Sequence, residues 1–532
     1  MHRPQTERNE RIERTGDAGQ IGRYERTGDA GQIGRNERTG DAGQIGRYEQ
    51  ATDADTQQAG RNARAGGNAQ AVGNAHTGPN TPAGGNAETE RAEQTGTART
   101  ALGVAGPERA AAAEEFTADI CVVGAGPAGL VLALLLLKSG LRVAVVERAR
   151  AHQREFRGEI LQPGALKLLD RLGVLAGARA RGAHEHTHFR LVEGGRALLD
   201  IDYRALPAPY DYLLSIPQAH VLDELLLHCR TYEGFSYLDG RRVGALLREG
   251  GRITGVAADG PGGACTVRAH VVVGADGRFS KVRRLAGIEA GRSEAFDLDV
   301  LWFKLTDDRS GARGPDAARD VRVFRAGKSP VLVYDSWPDR VQIGWTLPHK
   351  GFKDVAARGI EHVKEQLALA VPPYAELIRE QIGSMRDLSL LDVFSGRAER
   401  WTDDGLVLIG DAAHTHSPIG AQGINLAVQD AVLLHPLLVA SHRAGDASAA
   451  FLSAFERTRS ADIEQVMRLQ RVQSRAMLSH GTFATRVRPK LAALLRRTPV
   501  YRKVLDRIAF GNPSVRIAEE IFVPDVSERR NR

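Results

Sequence analysis

Sulfur is scarce in this chain. Among 532 residues there are three cysteines and four methionines. Cys121, Cys229 and Cys265 make no C-x-x-C pair and no other recognisable metal or redox spacing. That excludes a disulfide scaffold and predicts a reducing, cytoplasmic setting. Long hydrophobic runs are missing too. The leucine-rich stretch 130–137 falls well short of the roughly 20 apolar residues that a membrane span requires, and reads as a core helix under a parallel sheet. The first residues carry charge and no apolar h-region, so no secretory signal is expected.

Aromatic residues are nearly absent from residues 1–115, where Tyr24 and Tyr48 stand alone. The stretch is rich in Gly, Ala, Asn, Thr, Gln and charge, and cannot bury enough apolar surface to offset the entropy of ordering. It contains three copies of a 12-residue repeat, at Glu13–Arg23, Glu25–Arg35 and Glu37–Arg47. Stacked repeats need a hydrophobic face, and each unit offers a single isoleucine, so no solenoid is expected. Residues 1–115 are therefore predicted to be a disordered tail. About 415 residues remain, enough for two domains and an extension.

Acids are scarce near the C-terminus. Residues 465–507 hold eleven Lys or Arg and one acid, Asp506, in a chain of net charge +7. Leu491, Leu494, Leu495, Val504, Leu505 and Ile508 recur there at roughly helical spacing. Two readings stand for this region. Helices pack on the main domain with solvated basic faces, or a basic amphipathic surface makes a peripheral membrane contact. No nucleic-acid module is present, so no nucleic-acid partner is expected.

What the chain does have is glycine in two informative places. Residues 118–123 form a short apolar run suited to a strand buried on both faces. Gly124-Ala125-Gly126-Pro127-Ala128-Gly129 follows and fits G-x-G-x-x-G. Gly124 allows the tight turn, Gly126 lets the backbone approach a pyrophosphate, and Gly129 lets the next helix pack closely on the strand. The anion sits at the helix N-terminus, where free N–H groups point. A second strand, 142–147, ends in Glu147, near the spacing of about 20 residues at which a carboxylate holds ribose hydroxyls. Alone, the glycine turn says little; strand, turn, helix, strand and acid together define a dinucleotide site. The second place is Gly405-Leu-Val-Leu-Ile-Gly-Asp411-Ala-Ala-His414, continuing through Ser417, Pro418, Gly420, Gly423 and Asn425. It sets Asp411 at the end of another apolar strand and feeds a Gly-rich loop into another helix. A nicotinamide dehydrogenase needs only the first motif. A protein that holds a flavin dinucleotide along its whole length needs both. Between them, the strand around Val271–Gly274 runs into Asp276-Gly277.

These three motifs, in this order, resemble those of the class A flavoprotein monooxygenases, typified by para-hydroxybenzoate hydroxylase and the ubiquinone-biosynthesis hydroxylases. The resemblance covers residues 116–440. It implies an α/β fold: a Rossmann-like FAD-binding domain within 116–445 (segments 116–182, 214–290 and 385–445), an inserted antiparallel-sheet substrate domain (183–213 and 291–384), and a helical C-terminal extension over 446–532. It implies FAD, with NADH or NADPH as co-substrate. Gly124 to Gly129 would cradle the pyrophosphate, and Glu147, followed by Arg148, would hold the adenosine ribose. Arg157 would contact the flavin, and Gln218 would reach FAD from a helix. Asp276 and Gly277 would serve both FAD and the nicotinamide. Asp411 would bind the ribityl chain. Pro418, Gly420, Gly423 and Asn425 would form the loop and helix start under the isoalloxazine, where a helix N-terminus stabilises negative charge. Taken singly, Arg157 also reads as a surface ion pair, Gln218 as a helix-surface amide and Asp276 as a turn-former.

Residues 183–203 and 300–347 alternate apolar and polar positions, as antiparallel strands do. Residues 298–305 read as one strand, and 331–337 with 340–347 as a hairpin. In the resembling family such a sheet roofs the flavin, which makes Trp302, Phe303, Phe324, Tyr334 and Trp345 candidate pocket residues; each also reads as plain sheet core. His184, His186 and His188 at period two would share one strand face, a pattern open to a metal. The implied chemistry needs none, and no metal is expected; His184 is a candidate proton relay. The implied reaction takes hydride from the nicotinamide and places one atom of dioxygen in an electron-rich aromatic, lipophilic molecule: a phenol, quinone, quinolone or polyketide of secondary or antibiotic metabolism. The protein supplies binding, orientation and exclusion of water. A halogenase or alkene reductase shares this flavin fold, though the halogenase motif W-x-W-x-I-P is not matched by Gly344–Pro348. A non-catalytic flavin-binding interaction protein is the third reading.

Overall fold

The computed structural model describes residues 114–151, 159–293, 298–308, 320–325, 329–478, 494 and 498–524. The tail with its repeats, Arg157, Leu491 and Leu495 lie outside them.

Strand Glu114–Val123 is the hub of the first sheet. Its Ile120, Cys121 and Val122 are fully buried. Gly263–Gly274 and Val143–Glu147 pair with it on either side, both parallel. The order is Thr402–Asp403, Leu406–Leu408, Gly263–Gly274, Glu114–Val123, Val143–Glu147, Phe235–Asp239. A parallel sheet covered on both faces needs continuous β-branched runs, and these strands supply them. Helices Pro127–Lys138, Gln218–Cys229 and Gly423–Ala444 pack together against it. Gly423–Ala444 is long and apolar enough to cross a membrane by length and composition, but it is mostly buried as a core helix.

The second sheet runs in the order Ser389–Leu391, Leu298–Thr306, Arg340–Pro348, Val331–Ser336, Asp320–Phe324, His188–Glu193, Arg196–Asp202. Its pairings are antiparallel except that between Asp320–Phe324 and His188–Glu193. The 331–347 hairpin forms as its sequence suggests, Val331–Ser336 pairing with Arg340–Pro348. Because Ser389–Leu391 belongs to this sheet, the chain returns to the first layer after 391 rather than at 385. Helices Ile360–Ala370 and Ala375–Gln381 cover one face. The other face looks toward the loop after Asp411.

A third, small sheet of Ile160–Leu161, Leu213–Ser215 and His184–His186 supports the junction. This divides the histidine trio. His184 and His186 pair with Leu213–Ser215, whereas His188 opens a strand of the large sheet and bonds Asp200 at 2.9 Å. The trio is thus split between two sheets instead of lying along one strand.

Candidate active site

The first motif forms a tight cradle. Gly124 has φ +106°, and a Cβ there would stand 2.6 Å from the Ala275 carbonyl oxygen. A Cβ on Gly129 would stand 2.0 Å from the Gly124 carbonyl oxygen. No side chain caps the helix at Gly126, and Pro127 occupies its first turn. The first-turn N–H groups therefore face outward, ready for an anion. Glu147 is buried, and its two oxygens accept from Ala125 N at 2.8 Å and Ala149 N at 2.9 Å. It pins the glycine turn to the end of the second strand; Arg148 beside it is exposed. Gln218 is the first residue of its helix and is buried, so it is not the surface amide of the plainer reading.

Asp276 is committed locally. It accepts from Ser280 Oγ at 2.5 Å, Lys281 N at 2.6 Å and Val282 N at 3.0 Å, the first amides of helix Lys281–Leu285, whose N-cap is Ser280. Burial pushes its carboxyl above the usual range, and those hydrogen bonds oppose the rise. Its main chain, with Gly277 at φ +85°, lines the cradle beside Gly124. Asp411 differs. It sits in the turn Gly410–Ala412 at the end of Leu406–Leu408, and its carboxylate lies 3.9 Å from Arg278. So long and partly exposed a contact is weak, and leaves both oxygens able to accept from a polyol.

The loop after Asp411 approaches the second sheet. Pro418 is exposed, and Gly420 (φ +78°) and Ala421 (φ +50°) are both left-handed. The Gly420 carbonyl accepts from Gln162 at 2.8 Å and Gln422 at 3.2 Å. Helix Gly423–Ala444 begins with no side-chain cap, and a Cβ on Gly423 would meet nothing within 4 Å. Asn425, 1 % exposed, donates to Gln422 at 3.2 Å while its Oδ1 has no protein partner. A buried orphan acceptor is uncommon; at an open helix N-terminus it fits a ligand that brings its own N–H. The uncapped cradle donates, and the Asp411 carboxylate and the Asn425 oxygen accept, a combination suited to FAD.

Beneath the loop lies a buried network that sequence reasoning missed. Asp430 accepts from Gly410 N at 2.8 Å, His414 Nε2 at 2.7 Å and Arg459 Nε at 2.8 Å. Burial alone would raise its carboxyl; His414 and Arg459 overcome this and hold it at about 2. His414 meets His416 at 2.8 Å, and burial drives His416 well below the ordinary imidazole range. His414 belonged to the motif, but nothing in the sequence links it to Arg459.

The second sheet supplies the opposite wall. Trp302 and Tyr334 join Tyr203, Leu213, Val393, Ile419 and Ala421 in one cluster against the loop. Trp302 lies over its cross-strand neighbour Gly344, where a Cβ would stand 2.7 Å from the indole. Its buried Nε1 has no protein partner. Phe303 and Trp345 point the other way, into the core under the helices, and Phe324 packs there too. These three are corrected from pocket to core, since successive side chains on a strand point to opposite faces. His184 is half-buried, with its ring 6.0 Å from that of Trp337. Helix Pro499–Phe510 also reaches this cluster, through Leu505 and Ala509. Its Ile508 and Phe510 carbonyls accept from Gln422 at 2.8 Å and Gln429 at 3.1 Å.

A dinucleotide cradle, a second acid at a strand end and a sheet closing over a glycine loop define a flavin-dependent oxidoreductase. Residues 117–470 match the FAD binding domain family, and the chain belongs to it. It is 56 % identical to 6-methylpretetramide 4-monooxygenase of Streptomyces rimosus over 404 residues, 76 % of this chain and 95 % of that protein. Among solved structures it resembles OxyS anhydrotetracycline hydroxylase from Streptomyces rimosus (25 % identity, TM-score 0.59, 74 % of this chain and 76 % of that one). It shares its fold with p-nitrophenol 4-monooxygenase PnpA from Pseudomonas putida DLL-E4 (21 % identity, TM-score 0.63, 76 % and 100 % covered). The protein is an FAD-dependent aromatic monooxygenase that uses NADH or NADPH and dioxygen.

Proposed function

We propose that this enzyme hydroxylates a polycyclic aromatic polyketide of the 6-methylpretetramide type. The observation that carries the reading is the wall of Trp302, Tyr334, Tyr203, Leu213 and Val393 facing Ile419 and Ala421 of the glycine loop. It suits a flat, apolar ring system that bears a few polar groups. The relative named 6-methylpretetramide 4-monooxygenase supports the substrate class.

FAD, when bound, would carry electrons from the nicotinamide to dioxygen and activate that oxygen for transfer. Gly124 to Gly129 hold its pyrophosphate at the uncapped helix, and Glu147 with Gln218 serve the adenosine half. Asp276 and Gly277 contribute their main chain, and Asp411 takes the ribityl hydroxyls. Gly420, Gly423 and Asn425 would bring backbone amides and the helix N-terminus to the isoalloxazine end, where they favour negative charge, and Pro418 would shape the loop before them. Trp302 and Tyr334 orient the substrate, and the C-terminal helix closes the cluster against water. A cytoplasmic setting suits this reading. Of the residues of the membrane reading that are described, Leu505 is buried in the wall cluster and Ile508 is half-buried, while Leu494 and Val504 are exposed, with Arg502 and Lys503 beside Val504.

The test is turnover of 6-methylpretetramide under labelled dioxygen, with the flavin identified after acid extraction. One FAD per chain and one labelled oxygen per product molecule are expected. A product oxygen drawn from water, or a halide-dependent halogenated product, refutes the reading.

A further inference from the structure

We propose that Glu159 and Lys304 are the acid–base pair of the substrate pocket: Glu159 takes the proton from a phenolic hydroxyl of the substrate, and Lys304 balances the charge. The inference rests on the polyketide reading and adds the group that ionises the substrate.

Glu159 stands immediately before strand Ile160–Leu161 and is 5 % exposed. One carboxylate oxygen accepts from Lys304 Nζ at 2.5 Å, the other from Ser336 Oγ at 2.7 Å. The Lys304 side chain is 11 % exposed. The pair bridges the small sheet and the large one, two layers whose junction is otherwise filled by Ile160, Leu213, Val300, Trp302 and Tyr334. Strand alternation puts Lys304 on the face of Trp302, and Ser336 on the face of Tyr334. The ion pair therefore lies at one end of the wall assigned to the substrate. Glu159 also acts on that wall electrostatically. Burial first, and the Glu159 carboxylate second, push the Tyr334 phenol well above its ordinary value. Tyr334 thus stays protonated.

Stability does not explain the pair. Replacing a buried ion pair by apolar residues of similar volume is often neutral or stabilising. A carboxylate held beside an ammonium in apolar surroundings can instead accept a proton from a bound phenol while the site as a whole stays neutral, the freed ammonium charge matching the phenolate. In the step, the substrate O–H bond breaks and an O–H bond forms on Glu159. The phenolate left behind faces the Lys304 ammonium, whose charge Glu159 has ceased to balance. A phenolate ring is richer in electrons than the phenol and so a better target for oxygen transfer. The proton leaves to solvent once product is released.

The experiment titrates FAD-loaded, oxidised protein with 6-methylpretetramide, reading phenol against phenolate absorption from about pH 6 to about pH 9, and then measures turnover over the same range. Wild type is expected to bind the phenolate at a pH where the free ligand is still neutral. Glu159→Gln is expected to bind the neutral phenol, with turnover rising about tenfold per pH unit as solvent takes over the ionisation. Lys304→Met should raise the apparent ionisation of the bound ligand by about one unit or more. Glu159→Asp should restore part of the wild-type spectrum. Wild-type protein that binds only the neutral ligand overturns the pair without any variant, as do variants that keep both the wild-type spectrum and the wild-type pH profile. If wild type neither binds nor oxygenates the polyketide, the functional reading fails and takes the pair with it.

Discussion

Replacing Arg459 by methionine tests what holds the Asp411 loop in place. The arginine side chain is fully buried. It donates from Nε to Asp430 at 2.8 Å, from Nη1 to Asp462 at 3.2 Å and from Nη2 to the Leu426 carbonyl at 3.3 Å. Asp430 in turn holds Gly410 N, one residue before Asp411. Methionine keeps the apolar stem and removes the charge, which leaves a buried carboxylate with His414 and one amide. Removing one partner of a buried pair costs about 3–5 kcal/mol, a factor of roughly 100 to several thousand in the folding equilibrium. Urea unfolding at neutral pH, followed by flavin release, measures it. The sign with pH is fixed by Asp430. Its carboxyl lies at about 2 against an ordinary 3.8, so its contribution is complete above 3.8 and lost as pH falls through about 2. Neutral pH therefore reports the full effect. The pair Arg459→Met with Asp430→Leu should recover much of the loss, because no charge is left stranded. A single variant that loses less than about 1 kcal/mol, or a double variant no better than the single, refutes the argument.

Other outcomes follow from the same geometry. Asp411→Ala removes the acceptor proposed for the ribityl chain and should weaken FAD by about 1–3 kcal/mol, read by flavin-fluorescence titration; unchanged affinity would remove that role. Gly129→Ala drives a Cβ to 2.0 Å from the Gly124 carbonyl oxygen, so the purified protein should lose FAD and about 1–3 kcal/mol of stability. His435, bonded to Ser139 at 2.7 Å, is pushed by burial to about 4. The unfolded chain protonates it below about 6.5 and the native state only near 4, so stability should fall by about 3 kcal/mol across that window. His435→Phe should flatten that part of the acid-unfolding curve. Leu505→Ala opens a cavity in the wall and should cost about 2–5 kcal/mol, with hydrogen peroxide rising at the expense of product.

The parts of the site that could be read from sequence are those where backbone approaches backbone. Gly124 and Gly129 are legible because any Cβ there strikes a carbonyl, so the chain has little choice of residue. Side-chain roles were less legible, and each failure has its own cause. Trp302 and Phe303 are adjacent, aromatic and equally apolar, yet only one faces the loop. Alternation discriminates faces when one is wet; this sheet is covered on both, so the parity signal vanishes. Asp276 read both as a motif residue and as a turn-former, and its carboxylate is taken by Ser280 and by the first two amides of the next helix. Glu159 and Lys304 are 145 positions apart, and Asp430 and Arg459 lie on different helices, so no local pattern announces either pair. The C-terminal helix was obscured by its own composition. Arg502 and Lys503 are exposed and suggested a surface, while Leu505 and Ala509 of the same helix are buried in the cluster with Trp302 and Tyr334. A basic stretch reports what a helix shows to water. Its buried stripe decides what it packs against, and here the last turn of the same helix accepts from Gln422 and Gln429 through the Ile508 and Phe510 carbonyls, joining it to the helix that begins under the glycine loop.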